Sequence, residues 1–164
     1  MTQIGIISDT HGCFDESLMR FLEPVDAIWH AGDFGNLATA DQIAAFRPLI
    51  GVYGNIDDAR VRLVYPRVAS FTCEGVRVVL THIGGYPGRY EAEALREIER
   101  FRPRIFISGH SHILKVMPDR RRNLLHINPG AAGVNGFHAV RTAVRLVIDG
   151  DHIRDLEVGE WPRR

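Results

Sequence analysis

Apolar residues in this chain fall first in short contiguous runs and later in alternating ones. Ile4-Gly5-Ile6-Ile7-Ser8, Ala27-Ile28-Trp29-His30 and Leu49-Ile50-Gly51-Val52-Tyr53 are compact segments of strand length. Between them, Glu16 to Leu22 and Leu37 to Phe46 carry apolar residues at helical spacing, stopped by Pro24 and Pro48. Such βαβαβ alternation predicts parallel strands covered on both faces by helices.

The middle changes character. Ala69 to Cys73 and Val76 to Leu80 flank Glu74-Gly75, a hairpin signal. Tyr90 to Phe101 predicts a charged amphipathic helix ending before Pro103, and Arg104 to Ser108 another buried strand. The remainder reads mostly as strands, at His112–Met117, Asn123–Ile127, Val140–Ile148 and Ile153–Val158, with Asp149-Gly150 turning the last pair. The expected fold is α/β: a four-layer αββα sandwich, two mixed β-sheets packed face to face with helices outside. Strand edges in the β-rich second half offer a surface for a homodimer.

Composition narrows the field. With 164 residues the chain has the length of one domain, taken as 1–164. Lys+Arg and Asp+Glu balance at 20 each, which removes the electrostatic footprint of a nucleic-acid coat or a membrane-surface binder. Arg120, Arg121 and Arg122 form the densest basic patch, read as a solvated turn. Cys13 and Cys73 belong to no paired motif and read as reduced thiols. Met1-Thr2-Gln3 leads straight into a strand, and no apolar run approaches the ~18 residues that span a bilayer, so a cytoplasmic address is expected.

The chemistry lies in where the metal-binding types fall. Asp9 and His11 follow the first strand, Asp33 the second and Asn55 the third; His82 follows Val76–Leu80, and His110 and His112 follow Arg104–Ser108. Ligands of open α/β sheets bind beyond the carboxyl ends of the strands, so five strand ends deliver seven side chains to one rim. The set offers nitrogen and oxygen but no thiolate, which excludes a cysteine-type structural zinc site. Seven donors exceed the needs of one ion with an open position, and two cations sharing a carboxylate fit better. Manganese is favoured, with iron, zinc and nickel also admissible and magnesium less suited to four histidines. Each residue has a blander reading: Asp33 as a helix cap, Asn55 as a turn residue, His82 as a structural histidine. His110-x-His112 reads as an extended segment with both imidazoles on one side. His30 reads as a buried, hydrogen-bonded residue, and His126, His138 and His152 as structural or solvent-facing.

Asp9-x-His11, Gly32-Asp33, Gly54-Asn55-x-Asp57, His82 and Gly109-His110-x-His112 resemble the ordered blocks of calcineurin-like metallophosphoesterases, especially the small prokaryotic single-domain phosphodiesterases. Asn128-Pro129-Gly130 resembles a turn of the same subgroup, so the similarity spans most of the chain. The resemblance implies that Asp9, His11 and His112 bind one ion, that Asn55, His82 and His110 bind the second, and that Asp33 bridges. It also implies the αββα sandwich. Many superfamily members carry a histidine after the block asparagine, thought to assist the leaving group; here that position is Ile56.

The expected activity is that of a binuclear-metal phosphoesterase, a phosphodiesterase first of all, in which a metal-bridging hydroxide attacks phosphorus in line. Asp33, Asn55 and His82 carry the catalytic assignment. Arg89, beside Tyr86 in the loop after His82, with Asn128 and Gly130, are candidates for substrate contact, Arg89 because its fork suits phosphate. A small phosphate ester is the expected partner, with neither a membrane nor a specific nucleic-acid sequence. Two rivals remain: a protein-binding scaffold on the same fold, and a mononuclear iron oxygenase with two histidines and a carboxylate.

Overall fold

A computed structural model describes residues 1–163. Two five-stranded sheets form the centre. The first joins β1 (Thr2–Ile7), β2 (Ala27–His30), β3 (Leu49–Gly51), β11 (Val140–Asp149) and β12 (His152–Pro162) in the order β12-β11-β1-β2-β3. The second joins β4 (Val68–Cys73), β5 (Val76–Thr81), β8 (Ile105–Ile107), β9 (Lys115–Asp119) and β10 (Leu124–Asn128) in the order β4-β5-β8-β10-β9. Both are mixed: β1, β2 and β3 run parallel, as do β5, β8 and β10, and the remaining pairs are antiparallel. A small hairpin, β6 (Gly85–Tyr86) with β7 (Arg89–Tyr90), projects after β5.

Strand alternation explains the layering, because successive side chains point to opposite faces. Ile4 and Ile6 of β1, Val76, Val78 and Leu80 of β5, and Ile105 and Ile107 of β8 meet in one core between the sheets. Ile7 and Ile28 point outward, onto α1 (Glu16–Phe21), α2 (Leu37–Phe46) and α3 (Ala59–Val64). Val79 and Phe106 face the other way, onto Ala94 and Ile98 of α4 (Ala92–Phe101). The result is the αββα sandwich expected from the pattern. No helix of the described residues is long and apolar enough to cross a membrane, and Cys13 and Cys73 are free.

Several boundaries differ from the sequence reading. Tyr90 belongs to β7 rather than to the helix, because it pairs with Gly85. The third strand stops at Gly51, two residues short, and α3 was not foreseen.

His30 and His126 are both buried, and burial pushes their pKa values down to about 3 and about 4 from 6.5. His30 is satisfied: Gly32 N–H donates to Nδ1, and the Thr10 hydroxyl lies 3.0 Å from Nε2. His126 is not, since its Nδ1 has no partner. The unfolded chain protonates such a histidine near pH 6.5 and the folded chain only near 4, so stability present above 6.5 is lost as the pH falls between them. His126→Phe keeps a ring against Phe106, stacked here at 5.7 Å between centroids, and removes the titration. The unfolding free energy from urea titrations between pH 6.5 and 4 should fall less steeply in the variant, by about 1.4 kcal/mol per pH unit. An unchanged slope refutes the account.

Candidate metal centre

The loops after β1, β2, β3, β5 and β8 bring the predicted side chains together at one edge of the sandwich. Nine non-glycine residues among those described have positive φ, and five of them are Asp9, His11, Asp33, His110 and His112. Left-handed backbone is uncommon for such residues and clusters at functional sites. His110 and His112 therefore do not form the extended pair read from their spacing. Their rings diverge: His110 Nδ1 lies 3.1 Å from Asn55 Oδ1, and His112 Nε2 lies 3.2 Å from Asp9 Oδ1.

Asp9 is the hub. Its Oδ2 accepts from Ser8 Oγ at 2.6 Å and from the His110 N–H at 3.1 Å. Its Oδ1 is buried without a hydrogen-bond donor and faces the Nε2 atoms of His112, His11 and His82 at 3.2, 3.8 and 3.9 Å. Asp33 Oδ2 lies 3.5 Å from His11 Nε2 and 3.3 Å from His82 Nε2, between the two, while Oδ1 accepts from the Ile56 N–H. His82 donates Nδ1–H to the Ala31 carbonyl at 2.8 Å, so in the neutral ring Nε2 is a lone pair, 2.9 Å from Asn55 Oδ1. Glycine makes this closeness achievable: a Cβ on Gly54 would overlap the Asp33 carboxylate, and one on Gly109 would overlap Ser8 and crowd Asp9.

Polar side-chain atoms thus converge on one another. Asp9 Oδ1 and His11 Nε2 are both buried and unpartnered, a costly state unless a cation or proton sits between them. The electrostatics agree. Burial opposes ionisation of Asp9, but His11, His112, Ser8 and the charge of His82 outweigh it and hold the carboxyl far below the usual range. His11 is raised by the Asp9 carboxylate; His82 is raised despite burial, by Asp33 and Asp9. Asp9, His11 and His112 form one group able to hold a metal ion, and Asp9, Asp33 and His82 a second, the ligand atoms of each group lying within 4.8 Å. Nitrogen and oxygen donors without sulfur suit a hard or borderline divalent cation.

The other candidates fall differently. Asn128 is buried, and its amide donates to the Gly109 carbonyl and Ser111 Oγ while accepting from the Gly130 N–H. It shapes the loop that bears His110 and His112. Gly130 is buried too, its φ of +75° and close Thr142 hydroxyl leaving no space for a side chain. Arg89 is exposed on β7, and the cleft of about 230 Å³ beside His110 is lined instead by Tyr86, Ile113 and Lys115. Asp57 is buried and receives backbone N–H groups from Phe34, Gly35 and Gly54. Sequence reasoning missed the Ser8 hydroxyl, the His138 contact with His112, and Arg141, whose guanidinium pairs with both Asp15 oxygens at 2.8 and 2.9 Å. Ser8 was marked only by its place before Asp9; the other two carried no local signal.

Fold and cluster together define a phosphoesterase-type αββα protein with an edge whose side chains could hold metal. The model of the calcineurin-like phosphoesterase superfamily domain matches residues 2–151, and the chain belongs to that superfamily. No curated protein sequence matches it. Solved structures with the same fold include Vps29 of Entamoeba histolytica complexed with Zn²⁺, at 16% identity and TM-score 0.75, covering 99% of both chains. A predicted phosphoesterase from Streptococcus pneumoniae aligns at 21% identity and TM-score 0.69, over 99% of this chain and 90% of its own. A Thermotoga maritima protein aligns at 23% and 0.70, over 97% and 99%.

Proposed function

We propose that the chain is one phosphodiesterase domain holding two divalent cations, manganese first among them, and acting on a small phosphate ester in the cytoplasm. The observation that carries this reading is the pair of buried, unpartnered polar atoms, Asp9 Oδ1 and His11 Nε2, beside Asp33 and His82. In this reading Asp9, His11 and His112 would hold one ion, Asn55, His82 and His110 the other, and Asp33 would serve both. Divalent cations there would supply Lewis acidity, lowering the pKa of coordinated water to about 7 and neutralising phosphoryl charge.

The chain's own groups do the rest. Ser8 and the His110 N–H orient Asp9, and the Ala31 carbonyl fixes the His82 tautomer so that its lone pair faces the centre. Asn55 and His110 are the exposed members, placed to meet a phosphoryl oxygen. Leaving-group protonation lacks a side chain. Ile56 is 46% exposed and carries no proton, and Asp57 commits both oxygens to backbone N–H groups. A positioned acid contributes about 10²–10⁴-fold, so poor leaving groups should lose that factor.

Metal analysis with hydrolysis of bis(p-nitrophenyl) phosphate tests the main reading: no bound divalent ion and no turnover with any cation sinks it. Diester rates should then fall steeply with leaving-group pKa, alkyl esters lying far below aryl ones, and Ile56→His should flatten the line. A shallow dependence in the wild type removes the special role of position 56. A protein-binding reading has one observation in its favour, a Chaetomium thermophilum Vps29 of the same fold solved with a cyclic peptide. It predicts tight metal binding without turnover, which the same assay separates.

A further inference from the structure

His138 lies in the loop between β10 and β11, outside the strand ends that supply the cluster. Its Nε2 is 2.8 Å from the Gly133 carbonyl, and a carbonyl only accepts, so the ring proton sits on Nε2. That leaves Nδ1 as a lone pair, 3.2 Å from His112 Nδ1. Two lone pairs cannot face each other at this distance, so His112 Nδ1 carries a proton and donates. His112 Nε2 is then unprotonated, and it is the atom that lies 3.2 Å from the unpartnered Asp9 Oδ1.

The link is braced on every side. Gly133 N–H donates to the Asp9 carbonyl, closing a ring that runs from Asp9 through His112, His138 and Gly133 back to Asp9. The Gly136 backbone packs on both imidazoles so closely that a Cβ there would overlap His112. Arg163 donates to the carbonyls of Gly136 and His138, pinning the loop from the far end of the chain. His112 itself sits on left-handed backbone at φ 62°, so local chain geometry alone does not set its ring.

We infer that His138 is a positioning residue: by accepting from His112 Nδ1 while anchored on Gly133, it presents the His112 Nε2 lone pair to a cation at Asp9. The inference rests on the metal-centre reading for its consequence, though not for its geometry. Partners of this kind are worth about 10–100-fold in metal affinity. His138→Ala should weaken Mn²⁺ binding by that factor in calorimetry. His138→Asn, whose Oδ1 can stand where Nδ1 stood, should stay within a few-fold of the wild type.

A second readout needs no metal. The ¹⁵N shifts of His112 in metal-free protein at alkaline pH should show Nδ1 protonated in the wild type and in His138→Asn, and a tautomer mixture in His138→Ala. A wild-type His112 protonated on Nε2, or a His138→Ala protein that binds Mn²⁺ as tightly as the wild type, overturns the inference. A wild type that binds no Mn²⁺ but shows the expected tautomer keeps the His112–His138 link and removes the metal-centre reading instead.

Discussion

Asp33→Ala is expected to lower phosphodiester turnover by on the order of 10³-fold, because the group between the two halves of the centre is removed. Its Oδ2 lies within 3.5 Å of Nε2 atoms from both His11 and His82, one from each proposed ion site. Metal-borne charge stabilisation is worth several kcal/mol, and each 1.36 kcal/mol is tenfold in rate. Alanine brings a complication, since Asp33 has φ 59° and Oδ1 accepts from the Ile56 N–H. Asp33→Asn separates the effects: asparagine tolerates left-handed backbone and keeps an acceptor for Ile56, but loses the charge. It should therefore match Asp33→Ala in lost turnover and retain more of the wild-type stability. Metal content should fall with activity in both. Full turnover in either variant, with the fold intact by circular dichroism, removes Asp33 from the centre.

Much of this architecture was legible because strands buried on both faces leave contiguous apolar runs. Ile4 to Ile7 and Ile105 to Ile107 serve two cores at once, and the sequence has no polar position there to obscure them. α4 was legible for the opposite reason, its charged face alternating with Ala94 and Ile98. α3 escaped because only Val61 is buried, while Leu63 is 88% exposed, so no stripe repeats at helical spacing. The residues of the candidate site could be named because each follows a strand. Their backbone could not be foreseen: left-handed φ at His110 and His112 depends on close packing of loops distant in sequence, such as Gly109 against Ser8. That packing turns one ring toward Asn55 and the other toward Asp9, where an extended reading kept them together. His138 reaches His112 only through tertiary folding, 26 residues along the chain, and no local pattern marks such a partner.

Asp57→Ala should be among the most destabilising substitutions in the molecule, although Asp57 belongs to neither candidate metal group. Its Oδ2 accepts from Gly54 N–H at 2.8 Å and Phe34 N–H at 3.2 Å, and its Oδ1 from Gly35 N–H at 3.0 Å. Those donors come from the two loops that carry Asp33 and Asn55, so one buried carboxylate ties both loops together. Alanine leaves the three donors without their acceptor, and a buried unsatisfied group costs about 1–3 kcal/mol, giving roughly 4 kcal/mol in total. That is a large part of the 5–15 kcal/mol typical of a folded domain. Asp57→Asn keeps one acceptor oxygen but turns an NH₂ toward a backbone N–H, so it should fall between the wild type and alanine. Turnover should drop in both variants even where they remain folded, since Asp33 and Asn55 lose their common anchor. Urea unfolding, paired with turnover measured well below the transition, checks both halves. A free energy for Asp57→Ala within about 1 kcal/mol of the wild type would mean that water replaces the carboxylate at those three N–H groups, and that the loops are held by other contacts.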